Sequence, residues 1–404
     1  MKSKVRLFIV AGIILAVILT GICFVVSLTK APVIAFYGLP EREVAAIQTV
    51  IGDNVTYLSF GTDTSLYYQV RNGKKPDVII TPSGVKLQAA KAHVAKNVSL
   101  PESLFDGMTS SIRNTIQKTD AGKIVTAPLL SSHFEIDIQM DLFRQSDVKT
   151  IATWQDIEAF VKTTNHTKNA RMAFAGKDPD TFFDLLGALA EALSGKNSYG
   201  AAVNLVKAEM EDNALRERAF NANALAEQLA TQADSPLYDA IACLRRWYKE
   251  DLINKESFSM DRDALVGYMR AQLASVVFMS LSDYRSIAYD VVSSYTSIYF
   301  PSEIIASGRS FTAPVIHAVC LTKNRKAAKI IAQLTASEAQ AALTRASGLA
   351  PVLANCPTPD RQAEDARYWV AATNTPLAGL SQDIDLSADQ KKALAIALST
   401  LIQR

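Results

Sequence analysis

The fold of this chain is set by three short apolar runs near its start, the first of which reads Val33-Ile34-Ala35-Phe36-Tyr37-Gly38. The second run covers residues 55–60, and the third is Asp77-Val78-Ile79-Ile80-Thr81. Short apolar runs bounded by glycine or proline are typical of buried strands. A helix is predicted between each two consecutive runs. The first helix is indicated by Pro40, which precedes acidic first-turn residues, and the second by Thr62-Asp63-Thr64, which resembles a helix cap. Strands separated by single helices predict a parallel sheet covered on both faces.

The rest of the chain continues this alternation of strands and helices. Further strands are predicted at residues 123–130, 134–138, 273–282, 297–301 and 313–322. Helices are predicted from Thr153, across most of 181–250, over 325–334 and through most of the tail from residue 337. No internal repeat interrupts this pattern. We therefore expect an α/β protein.

The first thirty residues differ in composition from the remainder. They hold four cations and no acid, so the formal charge of +2 for the whole chain leaves 2 − 4 = −2 for residues 31–404. Residues 7–28 contain no charged side chain, and a helix of that length measures about 33 Å, enough to cross a bilayer core of about 30 Å. We expect a retained membrane anchor with a cytoplasmic N-terminus, because most of the cations precede the apolar run. A cleaved signal peptide and a lipoprotein signal at Cys23 are the alternatives.

Composition excludes several classes of protein. Of the 404 residues, 49% are hydrophobic, which is too many for a mostly disordered chain. The nearly neutral charge offers no electrostatic footprint for nucleic acid. The four cysteines share no short CxxC-type spacing, so we expect neither a zinc site nor a disulfide scaffold.

The predicted strands end in small or hydroxyl-bearing residues. These ends are Tyr37-Gly38, residues 59–61 and Thr81-Pro82-Ser83. In open parallel sheets, ligands bind outside the carboxyl ends of the strands. We therefore expect a ligand cleft at this edge of the sheet.

Several motifs, taken in order, resemble the large bilobal solute-binding proteins of ABC importers, the type that includes maltose- and other sugar-binding proteins. The matching segments are Gly73-Lys74-Lys75-Pro76-Asp77-Val78-Ile79, Pro128, Ile138-Gln139-Met140-Asp141-Leu142-Phe143, residues 153–157, Tyr248-Lys249-Glu250-Asp251-Leu252-Ile253, Tyr299-Phe300-Pro301, residues 318–338 and Gly348-Leu349-Ala350-Pro351. The resemblance covers roughly residues 33–355.

This resemblance implies two α/β lobes, each a mostly parallel sheet flanked by helices, that close on a ligand about a hinge. The lobes are expected at 31–130 plus 298–336 and at 131–297 plus 337–404, after an anchor at 1–30. The ligand-binding residues implied by position are Tyr37, Gly38, Ser83, Ser131, His133 and Tyr284. The expected ligand is a sugar or related polar solute, and the expected partners are ABC permease subunits and, through residues 7–28, the membrane. No cofactor is expected.

Two other functions of the same fold remain open. One is a receptor that reports ligand occupancy to a membrane partner through its N-terminal helix. The other is a scaffold that has lost the cleft chemistry, because the three tryptophans, Trp154, Trp247 and Trp369, fall outside the expected cleft positions.

An enzyme is not expected. Neighbouring residues on an extended chain point to opposite faces, so Ser132 and His133 should not form a nucleophile–base pair. Glu135 and Asp137 share one face of a strand and could hold a cation, but a solvent-exposed strand face is the favoured interpretation. No histidine pair has metal-ligand spacing.

Overall fold

A computed structural model describes residues 31–62, 64–73, 75–302 and 309–404. The predicted anchor or signal at residues 1–30, and with it Cys23, lies outside the described residues. Within the described ranges no helix is both long and apolar enough to cross a membrane.

The described chain alternates strands and helices, as the sequence predicts. The strands are β1 (Val33–Tyr37), β2 (Thr56–Phe60), β3 (Val78–Pro82), β4 (Thr126–Ser131), β5 (Phe134–Gln139), β6 (Arg171–Ala173), β7 (Ala274–Ser280), β8 (Tyr295–Ile298), β9 (Val315–Cys320) and β10 (Ala350–Pro351). The α-helices are α1 (Glu41–Ile51), α2 (Leu66–Asn72), α3 (Val85–Lys91), α4 (Ser110–Arg113), α5 (Met140–Gln145), α6 (Trp154–Lys168), α7 (Pro179–Ser194), α8 (Lys196–Leu215), α9 (Ala222–Ala230), α10 (Tyr238–Lys249), α11 (Arg262–Arg270), α12 (Leu281–Ser286), α13 (Tyr289–Val292), α14 (Arg325–Thr335), α15 (Ser337–Ser347), α16 (Arg361–Ala372), α17 (Leu380–Asp383) and α18 (Ala388–Gln403). Short 3-10 turns occupy Glu102–Phe105 and Lys255–Phe258.

The strands form two separate sheets. The first has the order β10-β4-β9-β3-β1-β2, and the second has the order β6-β7-β5-β8. Each sheet has its own large hydrophobic core, one containing Ile34, Ile80 and Val315 and the other Phe160, Trp247 and Phe278. We call each sheet with the helices packed on it a lobe. The two-lobed α/β architecture predicted from the sequence is therefore present.

Each sheet is predicted to be mostly parallel. Most strands of each sheet do run in the same direction, but most pairs of neighbouring strands are antiparallel, which differs from the prediction. In the first sheet β1 pairs in parallel with β2 and β3, whereas β9 runs antiparallel between β3 and β4. In the second sheet β6 and β7 are parallel, whereas β5 is antiparallel to both β7 and β8. The reason is topological, because strands that return from the other lobe are inserted beside strands of the opposite direction.

The predicted assignment of residues 337–372 to the second lobe is wrong. Strand β10 pairs with β4 of the first sheet, and helix α15 packs on α1. Leu343 and Val370 lie in the first hydrophobic core. The assignment failed because an amphipathic helix shows in its sequence that it has a buried face, but not which sheet covers that face. Helices α17 and α18 do pack on the second lobe, against α7, α9 and α10.

Three segments of chain pass side by side between the lobes. They are residues 132–134, 309–314 and 374–377, and they are held together by backbone hydrogen bonds. The N–H of Phe134 donates to Thr312 O, and the N–H groups of Ala313 and Leu377 donate to Leu377 O and Phe311 O, respectively. A bundle of three adjacent crossings is the part of the molecule about which the lobes can move relative to each other.

Candidate functional site

A cleft lies between the two lobes at the carboxyl ends of β1 and β3. It contains a cavity of about 410 Å³ and a neighbouring one of about 490 Å³. The two cavities adjoin each other, since six residues line both: Thr62, Lys86, Asp178, Asp180, Ser381 and Gln382. The cleft is therefore at the edge of the first sheet where the sequence predicts ligand binding.

On the first-lobe side, Gly38 and Lys86 form one wall of the cleft. Gly38 directly follows β1 and has a φ of +68°, and a Cβ at this position would lie 2.6 Å from Cδ of Lys86. The lysine therefore lies across the glycine, and its Nζ donates a hydrogen bond of 3.1 Å to Oε1 of Gln382 from the other lobe. Burial and the nearby Lys391 lower the pKa of Lys86.

On the second-lobe side, the first turns of α7 supply carboxylates. Asp178 caps the helix by accepting the N–H of Asp180, and Asp180 forms a 2.8 Å ion pair with Lys391. Asp184 accepts the N–H of Ser381 at 3.0 Å, and desolvation raises the pKa of Asp184 to about 7. A carboxyl group that titrates near neutral pH in a cleft is typical of a functional site.

A second contact between the lobes involves other residues that line the 410 Å³ cavity. The Ser282 hydroxyl donates to Oε1 of Glu43 at 2.6 Å, and the Ser282 N–H donates to Oγ of Ser132 at 3.3 Å. Glu43 belongs to α1 of the first lobe and Ser282 to α12, which follows β7 of the second lobe. Hydrogen bonds between residues of the two lobes, Lys86 to Gln382 and Ser282 to Glu43, thus span the cleft at two places.

Of the six residues predicted from the sequence, the structure brings Tyr37 and Gly38 to the cleft. Gly38 lines the 410 Å³ cavity and Tyr37 the 490 Å³ cavity. Burial, together with Asp385, raises the pKa of Tyr37, so its phenol stays protonated and can donate a hydrogen bond.

Ser83 and Ser131 do not line the cleft cavities. Ser83 exchanges two hydrogen bonds with Val315 of β9, donating its N–H and accepting at Oγ. Ser131 is 1% exposed. The cavity is lined instead by their sequence neighbours Pro82 and Ser132, because successive side chains on an extended chain point to opposite sides.

His133 and Tyr284 also lie away from the cleft. His133 is fully buried and packs against the rings of Phe311 and Trp369. Burial lowers its pKa to about 3 and keeps it neutral. Tyr284 donates its hydroxyl to Val292 O and lines a separate cavity of about 390 Å³ that shares no lining residue with the cleft. Both residues follow the end of a strand in the sequence. At His133, however, the chain enters a segment that crosses between the lobes, and at Tyr284 it forms helix α12, which packs between them.

The favoured interpretation of Glu135 and Asp137 as an exposed strand face is wrong. Both side chains are fully buried, because α12, α13 and α16 cover that face of β5. Among the described residues, no group of three or more histidine, cysteine, aspartate or glutamate side chains could hold a metal ion.

The sequence patterns do not single out most of the polar side chains that line the cleft, which include Glu43, Lys86, Asp180, Asp184, Ser282 and Gln382. Glu43 and Lys86 lie in the helices directly after β1 and β3, a position that could have singled them out. Gln382 and Lys391 come from the tail, and only the packing of α17 and α18 brings them to the cleft. None of the described residues that line the two cavities is a tryptophan, and their aromatic residues are Tyr37 and Phe134.

No protein-family profile and no curated protein sequence matches this chain. Solved structures do match over nearly its whole length. The bacterial solute receptor AcbH, described as having an exclusive preference for β-D-galactopyranose, has a TM-score of 0.64 at 13% identity and covers 94% of this chain and 100% of its own. A binding protein, msmE, from Bacillus subtilis in an open conformation has a TM-score of 0.66 at 14% identity, with 93% of both chains covered. RafE in complex with raffinose has a TM-score of 0.63 at 13% identity and covers 92% of this chain and 98% of its own. At these identities the likeness shows the fold, which is that of the bilobal solute receptors.

Proposed function

We propose that this chain is an extracytoplasmic solute-binding protein that captures a sugar or related polar solute between its lobes for an ABC importer. The observation that carries the proposal is the polar cleft between two lobes that have the fold of sugar receptors. Polar side chains that converge on a cavity give a ligand its orientation and specificity. The solved structures that this chain resembles are those of binding proteins, which supports ligand binding without catalysis.

The proposed ligand contacts are the cleft residues of both lobes. Gly38, Tyr37 and Lys86 would contact the ligand from the first lobe, and Asp180, Asp184 and Gln382 from the second. Carboxylates accept hydrogen bonds from sugar hydroxyls, and the Lys86 ammonium and Gln382 amide donate to sugar oxygens. Binding would replace the hydrogen bond between Lys86 and Gln382 with contacts from both residues to the ligand. The ligand would then join the two lobes, which links occupancy to lobe closure.

We also propose that residues 7–28 tether the binding lobes to the membrane, which would keep them close to permease subunits. The apolar length of this segment and the cations before it support a retained anchor. A cleaved or lipidated form would place the same lobes on the same side of the membrane.

The test is calorimetric titration of the full chain, in detergent, with galactose, raffinose and N,N′-diacetylchitobiose. We expect at least one to bind, and a ligand at about 100 times its dissociation constant to stabilise the protein by about 2.7 kcal/mol in thermal unfolding. Lys86→Gln should weaken that binding about tenfold or more, since a hydrogen bond to a charged group contributes about 1.5–3 kcal/mol.

The matched control is Lys149→Gln, which removes an exposed lysine that lines neither cleft cavity. It should leave affinity unchanged. Absence of binding to all three sugars would contradict the proposed function, and equal affinity of both variants would contradict the role of Lys86.

A further inference from the structure

We propose that the cleft selects a sugar or polyol that carries a protonated amine, and that Glu43 is the residue that binds this amine. The inference rests on the proposed function and names the ligand class of the same site.

Glu43 is a carboxylate with an unused hydrogen-bonding oxygen at the cleft. Its side chain is 1% exposed and lines the 410 Å³ cavity. One oxygen, Oε1, accepts the Ser282 hydroxyl at 2.6 Å, whereas Oε2 has no hydrogen-bond partner among the described residues. Because Glu43 and Ser282 belong to opposite lobes, parting of the lobes uncovers this carboxylate to an entering ligand.

No described cation forms an ion pair with Glu43. Arg42 and Arg262 influence it only at longer range, and burial raises its pKa above the ordinary value. A buried carboxylate without a cation is unfavourable, and the protein gains from any partner that supplies positive charge and N–H donors. A ligand ammonium would supply both.

The charge of the surrounding cavity favours a cationic ligand as well. Among the described residues that line the 410 Å³ cavity, the acids are Glu43, Asp178, Asp180, Asp184 and Asp283, and the single base is Lys86. Asp180 and Asp283 have their own partners in Lys391 and Arg262. The charged and polar neighbours of Lys86 are Gln382, Asp180, Asp184 and Lys391, and Glu43 is not one of them. Among the described lining residues no base is paired with Glu43, since Arg42 and Arg262 do not line this cavity.

The same residues also permit a second mode of ligand binding, and the experiment has to distinguish it from the first. A protonated Glu43 would be neutral and would donate a hydrogen bond to an oxygen of an uncharged sugar. In that case an amine would bring no advantage, and the isosteric glutamine, which also donates, would preserve binding.

The experiment compares amino sugars with their neutral counterparts. The full chain in detergent is titrated with galactosamine against galactose, and with the glucosamine disaccharide against N,N′-diacetylchitobiose, at a pH just below neutral where sugar amines are protonated. We expect the amine of at least one pair to bind about tenfold more tightly. The preference should shrink as salt screens the charges.

Glu43→Gln should remove the preference for the amine, so that the amino sugar and its neutral counterpart bind the variant with affinities within about threefold of each other. Glu41→Gln is the matched control, since it removes an exposed acid from the first turn of the same helix and should retain the preference. The comparison of sugars on the unmodified protein does not depend on the folding of any variant.

Equal affinity of amine and neutral sugar for the unmodified protein, or an amine preference that survives Glu43→Gln, would overturn the inference and leave the proposed function intact. Failure of every sugar to bind would instead overturn the proposed function, and the inference with it.

Discussion

Gly38 occupies a position that favours glycine because of its backbone conformation, and the Lys86 side chain lies against it. Its φ of +68° lies in the left-handed region, where other residues cost about 1 kcal/mol or more. The Lys86 side chain also fills the space that a Cβ would need. The residue therefore determines both the turn after β1 and the course of the lysine across the cleft.

Gly38→Ala should accordingly reduce ligand affinity as well as stability. We expect a loss of about 1 kcal/mol in the free energy of unfolding from backbone strain. Displacement of the Lys86 ammonium should in addition weaken ligand binding about tenfold, because a charged hydrogen bond is lost. Urea unfolding and calorimetric titration measure the two effects.

Gly122→Ala is the control for this substitution. Gly122 has a similar φ of +75°, and no atom lies within 4 Å of a Cβ built there. It should reproduce the loss of stability alone. Equal ligand affinity of the two alanine variants would show that Lys86 adapts to a Cβ at position 38.

At the scale of the element, strand β5 carries two acidic side chains on a face that is fully buried. Phe134, Ile136 and Ile138 point into the core of the second lobe, while Glu135 and Asp137 point to the opposite face and are fully buried. Gln362 of α16 donates to Glu135, whereas neither carboxylate oxygen of Asp137 has a hydrogen-bond partner among the described residues. Burial raises the pKa of both acids well above the ordinary range, and each of them lies near Arg285.

This arrangement predicts how folding stability depends on pH. A carboxyl group whose pKa is higher in the folded than in the unfolded state favours folding while protonated. Its contribution is therefore lost as pH rises from the unfolded value of about 4 through the folded pKa. The buried histidines His133 and His317, whose pKa is lowered to about 3, have the opposite effect and destabilise the fold as pH falls below about 6.5.

Asp137→Asn replaces one of the two buried carboxyl groups with an amide of the same shape. We expect the variant to be more stable than the unmodified protein at neutral pH by about 1 kcal/mol or more, since one pKa unit corresponds to about 1.4 kcal/mol. The difference should diminish on acidification. Urea unfolding at a series of pH values measures it.

Asp147→Asn, at an exposed position shortly after α5, should give the pH profile of the unmodified protein. A destabilised Asp137→Asn variant at neutral pH would mean that the carboxylate is ionised and satisfied in the folded protein.

At the scale of the whole molecule, the lobes are joined by contacts outside the cleft as well as by the hinge. Arg285 of α12 forms two hydrogen bonds of 2.7 Å with Asp360, the cap of α16, and donates from Nε to Gly348 O at 3.0 Å. Both acceptors belong to the first lobe, whereas α12 extends from β7 of the second. This contact restrains movement of the lobes about the crossing segments.

Arg285→Met should loosen the hinge. Because Asp360 is 42% exposed, we expect the pair to contribute only about 1 kcal/mol. The amides of Phe134, Ala313 and Leu377, which bond the crossing segments together, should then exchange hydrogen for deuterium about fivefold faster in the ligand-free protein. Exchange mass spectrometry measures these rates.

Arg361→Met is the control, because Arg361 is 89% exposed and pairs with Asp365 of its own helix. It should leave exchange at the crossing segments unchanged. Unchanged exchange in Arg285→Met would place the restraint in the crossing segments alone.

Much of the fold could be predicted because its causes are local. Buried strands such as β1 and β3 are continuous apolar runs, and helix caps such as Thr153 carry their own signal, since the Thr153 hydroxyl and the Asp156 carboxylate form a capping box. The predicted fold of bilobal solute receptors is confirmed by solved structures. The edge of the first sheet at which the cleft lies could also be predicted, because it follows from strand direction.

The individual site residues depended on longer-range packing. Ser131 and Ser132 differ by one position, yet only Ser132 reaches the cleft, because a shift of one residue on an extended chain reverses the side that a side chain faces. Gln382 and Lys391 lie about 300 residues from Lys86 in the chain, and no local pattern links them.

The sequence by itself therefore determined the kinds of element, their order and the edge of the sheet at which the cleft forms, since these depend on hydrophobic periodicity and on strand direction. The tertiary structure alone decided which lobe covers α15 and α16, which charges meet in the cleft and why Glu135 and Asp137 are buried. These features arise from contacts between segments far apart in the chain, and the free energy of such contacts depends on which surfaces meet.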